Sequence, residues 1–287
     1  MSQTADLGRN HGGASSERIA VGSTAHKELF CRMLLDSFDP YRPAIIAWPE
    51  LAPDVRARLV GLPFWDVALE TEENAGTRMQ ALADATTDPL LREALALNAF
   101  EERRHKEVLG HMIAHYGIIL GGENAAPRVR RPGWAFLRTG YGECLDSFFA
   151  FGLFALAHQS GFFPPELVAV FEPVVQEEAR HNLFFVNWVG YTSARRALPR
   201  RPAFVAQCGA ALALQVWKRL GTARSADGDN FTRAGGNALG LDMSPRRFLQ
   251  LCIAENERRL APYDARLLRP RVMPFLAGLA LQLLPRP

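Results

Sequence analysis

Two five-residue clusters of charged side chains repeat along this chain, and each lies inside an apolar segment. The first reads EERRH at residues 101–105, and the second reads EEARH at residues 177–181. Each cluster places a glutamate and a histidine three residues apart, which on a helix puts both side chains on one face, one turn apart. On both segments this face is also the apolar one, so each pair is predicted to point into the core.

A buried carboxylate beside an imidazole is unfavourable unless a partner compensates the charge, and a metal ion is such a partner. Glu102 with His105, and Glu178 with His181, each offer one oxygen and one nitrogen ligand at one level of a helix. Two such helices facing each other would supply four ligands of a dinuclear centre. The repeated motif therefore predicts a dinuclear metal site.

Such a centre requires two more carboxylates from two other helices. On the helix predicted over residues 64–85, Glu72 lies closest to the apolar stripe, and Glu70 and Glu73 flank it. We select Glu72 on the position of the stripe. Glu70 and Glu73 remain the alternatives on this helix.

The helix predicted over residues 141–159 offers two carboxylates, Glu143 and Asp146, three residues apart on one face. We select Glu143 because a longer side chain bridges two metals more easily. If each of these carboxylates lay at the same distance in sequence from the repeated motif that follows it, the pair would instead be Glu70 and Asp146. The choice between the two pairs stays open at the level of sequence.

The other letters of the motif are expected to support the ligands. A histidine bound to a metal normally donates its second N–H group to an acceptor, often a carboxylate. Glu101 and Glu177, or carboxylates across the bundle, can accept these hydrogen bonds. Arg104 and Arg180 can pair with the acceptors and balance their negative charge.

Helical periodicity dominates the chain and strand signals are few, which predicts an all-α fold. The long segments form two helical hairpins joined by a longer crossover, one known route to a four-helix bundle. We place the core of the bundle at about residues 60–192, with a helical extension over residues 193–287. Residues 1–22 are predicted to be a disordered leader, and residues 23–287 a single domain.

Composition limits the classes of function. The formal net charge of +3 over 287 residues does not indicate a nucleic-acid binder. The four cysteines are scattered and form no CxxC motif, which favours a reduced, cytoplasmic protein. The apolar run at residues 273–285 follows Arg269 and Arg271; we interpret it as a helix packed on the domain, with peripheral contact to a membrane as the alternative.

With this set of residues the chain resembles the ferritin-like superfamily of di-iron and di-manganese carboxylate proteins. The resemblance implies a ferritin-like four-helix bundle with a long crossover, and two iron ions, or manganese, as the cofactor. It implies no catalytic residue beyond the metal centre and no other cofactor site. The metal ligands that it implies are Glu72, Glu102, His105, Glu143, Glu178 and His181.

Among the branches of this superfamily we favour an O2-dependent oxygenase or oxidase acting on a small, largely apolar organic substrate. About a hundred residues follow the predicted bundle, more than iron storage requires, and the CxxC pair typical of rubrerythrins is absent. The enzyme would draw electrons from a donor protein or a reductant, and it could form a homodimer. The aromatic run at residues 148–154 is interpreted as core packing, with an apolar pocket as the alternative.

Other branches remain as competing hypotheses. These are iron storage, peroxide removal of the rubrerythrin or manganese-catalase type, and a quinone hydroxylase bound peripherally to a membrane. His158 lies too far along its helix from Glu143 to reach the same metals, so we interpret it as structural.

Overall fold

The computed structural model describes residues 19–122, 128–224 and 244–285, and within these ranges it contains helices and no strands. The predicted all-α class is confirmed. The α-helices are α1 (Thr24–Asp36), α2 (Pro53–Val60), α3 (Trp65–Asp84), α4 (Pro89–Tyr116), α5 (Pro132–Ser160), α6 (Pro165–Val170), α7 (Glu172–Arg195), α8 (Arg201–Arg224), α9 (Pro245–Leu260) and α10 (Val272–Leu283). Most of the predicted leader lies outside the described residues.

The ends of α4 show how local sequence defines the helix that carries the first motif. Asp88 precedes the helix, and its Oδ1 accepts a hydrogen bond from the backbone N–H of Leu91 at 3.1 Å. Pro89 follows at the first position, where a missing N–H group costs nothing. Gly117 ends the helix in the left-handed region at φ 69°, which favours glycine. Local sequence signals thus account for both ends of α4.

Helix α5 begins at Pro132, nine residues before the predicted start at residue 141. The RPG sequence at residues 131–133 resembles a loop, but proline at the first position of a helix has a suitable φ. The additional turns are stabilised by packing, because Phe136 is fully buried and its ring lies 4.8 Å from that of Trp188 on α7. Tertiary contact therefore overrides the local turn signal.

Four helices contact one another in a ring. Helix α3 packs against α4 and α5, and α7 completes the ring by contacting the same two helices. Each of the four contributes to one buried apolar core, with Met79 from α3, Leu95 from α4, Phe151 from α5 and Leu183 from α7. The two repeated motifs, on α4 and α7, are thereby brought to neighbouring helices.

The flanking helices enclose this ring. Helix α1 packs against α4 and α7, whereas α8 and α9 pack against α5. Gly152 allows the close approach of α9, because a Cβ atom there would overlap the Sγ atom of Cys252. Within the described residues, no helix combines the length and the apolar character needed to cross a membrane.

Candidate metal centre

The six predicted ligand side chains come from all four helices of the ring. Glu72 lies on α3, Glu102 and His105 lie on α4, Glu143 lies on α5, and Glu178 and His181 lie on α7. Four of them offer ligand atoms that all lie within 4.8 Å of one another: Glu72, Glu102, His105 and Glu178. This group can hold a metal ion, and the structure places the side chain of His181 beside it, with Nδ1 2.8 Å from Oε1 of Glu102.

Each histidine of the centre is oriented by a glutamate from the opposite motif. Nε2 of His105 on α4 lies 2.9 Å from Oε2 of Glu177 on α7. Nε2 of His181 on α7 lies 2.8 Å from Oε2 of Glu101 on α4. Because an ionised carboxylate only accepts hydrogen bonds, the proton is assigned to Nε2 of both rings. The predicted acceptors are therefore present, and the hydrogen bonds cross between the two helices.

The other ring nitrogens, Nδ1, face the carboxylates of the centre. Nδ1 of His105 lies 3.1 Å from Oε1 of Glu178, and neither Nδ1 atom has a hydrogen-bond partner among the described residues. In a neutral ring that donates from Nε2, Nδ1 carries a lone pair, and a lone pair facing a carboxylate oxygen is repelled. Only a proton or a metal ion between the two atoms removes this repulsion. The donor set therefore fits a metal ion.

Glu143 belongs to the same cluster of charges. Its Oε1 atom is buried and has no hydrogen-bond partner among the described residues. Burial, followed by the negative charges of Glu102 and Glu178, raises the pKa of Glu143 well above its usual range. A carboxyl group in this environment is stabilised by binding either a proton or a cation.

The alternative carboxylates have other contacts. Asp146 pairs with Arg219 of α8, whose Nε lies 2.7 Å from Oδ1. Glu70 is exposed and accepts a hydrogen bond from Asn74 at 3.3 Å, and Glu73 forms an ion pair with a lysine of α4 at 2.8 Å. The structure thus brings Glu72, and neither Glu70 nor Glu73, to His105, with 3.5 Å between Oε2 and Nδ1. Glu143 lies among the carboxylates of the centre, outside the group of four, whereas Asp146 pairs with Arg219.

Without a metal, the pKa values of Glu72 and of both histidines are shifted so that these groups hold their protons more tightly. Burial raises the pKa of Glu72 to about 8, although the charge of the neighbouring His105 opposes this shift. Burial disfavours the charged form of both histidines, but the surrounding carboxylates outweigh it and raise the pKa of His105 and His181 well above the ordinary value. Binding a metal would displace these protons.

Two buried arginines connect the centre to the N-terminal part of the chain. Arg104 donates to Oε1 of Glu177 at 2.5 Å and to the backbone carbonyl of Asp39 at 2.6 Å. Arg180 donates to Oε1 of Glu101 at 2.6 Å and to a carbonyl near the end of α1 at 3.1 Å. Each arginine therefore neutralises the glutamate that orients a histidine and also ties α1, or the segment after it, to the centre.

Tyr41 is a neighbour of the centre that sequence reasoning missed. Its hydroxyl group donates to Oε2 of Glu177 at 3.3 Å, and its ring lies under the guanidinium group of Arg104 at 3.8 Å. Burial, which outweighs the charge of His105, raises the pKa of Tyr41 above its usual range. Nothing in the proline-rich segment around Tyr41 signals this contact, because it depends on how that segment folds over α4.

An apolar cavity of about 270 Å³ adjoins the centre. Its walls come from α2 to α7, and the only polar residues that line it are Glu72 and His105. Ala150 and Phe154 of α5 belong to its lining, whereas Phe148 and Phe151 of the same aromatic run are buried in the core. Both sequence interpretations of this run are therefore correct for different residues. His158 lies apart from the centre and lines a second, polar cavity.

The stability of the metal-free protein is expected to fall as the pH rises from about 5 to about 8. Glu72 has a raised pKa of about 8 when folded, so in this range the folded chain binds more protons than the unfolded chain. The raised pKa values of His105 and His181 act in the same direction. The lowered pKa of Glu178 affects stability only at more acidic pH. Urea unfolding at several pH values in the presence of a chelator measures the trend, and a stability that rises over this range would contradict it.

Comparisons of the chain with protein-family models, with curated proteins and with solved structures find no match. The assignment of a metal centre therefore depends on the observed geometry. Four ligand side chains lie within reach of one ion, a second histidine lies beside them, and both imidazoles are oriented by buried glutamates.

Proposed function

We propose that this chain is a dinuclear-metal oxidoreductase, an oxygenase or oxidase that uses dioxygen to oxidise a small, largely apolar organic molecule. The observation that carries the proposal is the apolar cavity, since its only polar lining residues are two of the proposed ligands, Glu72 and His105. A storage site for iron has no need of such a cavity. An enzyme that presents an apolar molecule to a metal centre requires an apolar cavity beside that centre.

The six side chains named above would hold two metal ions. Iron and manganese both accept carboxylate and imidazole ligands, and iron is the metal we propose. When bound, the pair of ions supplies the redox chemistry that dioxygen activation requires. The ligand set of the ferritin-like superfamily, which the motifs resemble, supports this assignment.

The protein itself would bind, orient and exclude water. The walls of the cavity offer aliphatic and aromatic side chains and no polar group remote from the centre, so they select an apolar substrate. Glu101 and Glu177 fix the orientation of the two histidine rings, and hydrogen bonds from Arg104 and Arg180 hold those glutamates in place. The side chain of Glu72 is 20% exposed, which leaves the centre accessible from the cavity.

The test combines metal analysis with a variant that fills the cavity. The purified protein is expected to hold about two iron ions per chain and, once reduced, to consume dioxygen. Ala150→Phe, in the wall of the cavity, is expected to weaken binding of naphthalene, a small apolar probe, by about tenfold or more without changing the metal content. Ala206→Phe, on the exposed face of α8, is the matched control and should bind the probe as the wild type does.

Four results would contradict the proposal. A chain that takes up no metal would contradict the centre itself. Two manganese ions with disproportionation of peroxide would indicate a catalase, and many irons per chain in a hollow shell would indicate storage. Equal binding of naphthalene by Ala150→Phe and the wild type would show that the cavity is not the site of binding.

A further inference from the structure

Helix α10 carries a stripe of large apolar side chains that faces away from the rest of the protein. The stripe consists of Val272, Phe275, Leu276, Leu279 and Leu283. Each of them lies three or four residues from another member of the set, so all five share one face of the helix. Phe275 is 70% exposed and Leu283 is 81% exposed. We call this surface the C-terminal stripe.

The opposite face of α10 holds the helix firmly on the body of the protein. Ala277 is buried in a cluster with Phe148 of α5 and Cys252 of α9. At the end of the helix, Arg246 donates hydrogen bonds to the backbone carbonyls of Leu281 at 2.6 Å and Leu284 at 2.7 Å. The predicted packing of this segment is therefore present. The C-terminal stripe, however, is displayed on a fixed helix rather than buried.

The charged residues that follow Asp264 in the sequence are arginines. Residues 265–287 contain four arginines and no aspartate or glutamate, and one of the four, Arg266, is paired with Asp264. Arg271, directly before the stripe, is exposed, and so is Arg247 at the start of the helix that packs beside α10. The helix itself carries no charged residue, and its one strongly polar side chain, Gln282, lies at the margin of the stripe.

We propose that the C-terminal stripe docks on the surface of an anionic lipid membrane, with α10 lying parallel to that surface. Twelve residues form a helix of about 18 Å, shorter than the roughly 30 Å of a hydrocarbon layer, so the helix would lie in the interface. The apolar side chains would enter the boundary between headgroups and acyl chains, and the arginines would contact the anionic headgroups.

The composition of the stripe favours lipid over a protein partner. Protein interfaces carry a polar rim and about one hydrogen bond per 100–200 Å². The five side chains of the stripe offer no hydrogen-bonding group, and beside them lie exposed arginines and a single amide, Gln282. This proposal does not depend on the metal centre, so the metal content of the protein does not decide it.

The experiment measures sedimentation of the full chain with phospholipid vesicles. The wild type is expected to bind vesicles containing about 30% phosphatidylglycerol, and to bind pure phosphatidylcholine about tenfold more weakly or less. Phe275→Glu/Leu279→Glu is expected to reduce binding to anionic vesicles by at least about tenfold. Arg271→Ala should reduce binding to the anionic vesicles and leave binding to pure phosphatidylcholine unchanged.

The matched control places the same two charges on exposed apolar residues elsewhere. Ile119 is 92% exposed and Leu198 is 74% exposed, and Ile119→Glu/Leu198→Glu should bind vesicles as the wild type does. Circular dichroism and thermal unfolding confirm that both double variants are folded. Failure of the wild type to bind any vesicle, or equal binding by Phe275→Glu/Leu279→Glu, would overturn the proposal. So would a dimer in solution that Phe275→Glu/Leu279→Glu abolishes, since a second copy would then cover the stripe.

Discussion

Replacing Glu102 with glutamine is expected to lower the affinity of the centre for metal by more than about 100-fold, because losing a group that only supports a ligand already costs about 10–100-fold. Glu102 is 1% exposed, and its Oε1 atom lies 2.8 Å from Nδ1 of His181 without forming a hydrogen bond. A glutamine keeps the shape of the side chain and removes the charge that a cation would neutralise. Metal content after dialysis and calorimetric titration with Fe²⁺ or Mn²⁺ measure the loss.

A matched control lies on the same helix. Glu107 is exposed on α4, and Glu107→Gln removes an equal charge without reaching the centre. We expect this variant to keep the metal content and affinity of the wild type. If Glu102→Gln also kept them while remaining folded, Glu102 would not be a ligand, and the centre proposed here would be wrong.

Glu143→Gln is expected to stabilise the metal-free protein while weakening metal binding. The free energy of unfolding should rise by about 1–3 kcal/mol, because the variant removes a buried carboxyl group that lies among other carboxylates. The pKa of Glu143 is raised well above its usual range by burial and by the charges of Glu102 and Glu178. As the pH rises above the pKa that Glu143 has in the unfolded chain, this residue destabilises the folded chain more and more. The increase in the free energy of unfolding caused by Glu143→Gln should therefore grow with pH.

Thermal unfolding with and without metal measures both effects of Glu143→Gln. The melting temperature of the metal-free protein should rise by several degrees, and the further rise on adding metal should become smaller. Asp146→Asn is the control one turn away. It removes the ion pair with Arg219 and should leave metal binding unchanged. A Glu143→Gln variant with lower metal-free stability and unchanged metal affinity would contradict the placement of Glu143.

The shared helix face of the glutamate and histidine in each repeated motif was predictable because it depends on local geometry alone. A glutamate and a histidine three residues apart share a helix face wherever the helix lies. Local rules also account for the cap of α4 at Asp88 and its end at Gly117. They predicted the start of α5 wrongly, because the turns that contain Phe136 are stabilised by contacts with α7.

The remaining features depend on segments that are distant in sequence. Glu143 and Asp146 share one face of α5, and sequence could not separate them. Asp146 forms an ion pair with the arginine of α8. Glu143, by contrast, is desolvated among the carboxylates of the other helices. Likewise, the crossed hydrogen bonds from His105 to Glu177 and from His181 to Glu101 require two helices to face each other.

The exposed stripe of α10 likewise depends partly on local sequence and partly on tertiary contacts. Its apolar residues are evident in the sequence, but which of its faces is covered depends on contacts with α5 and α9. Helical spacing determines which side chains point together, because that is a property of one helix. Desolvation and charge at a given side chain depend on which other helices approach it, so only the tertiary structure decides them.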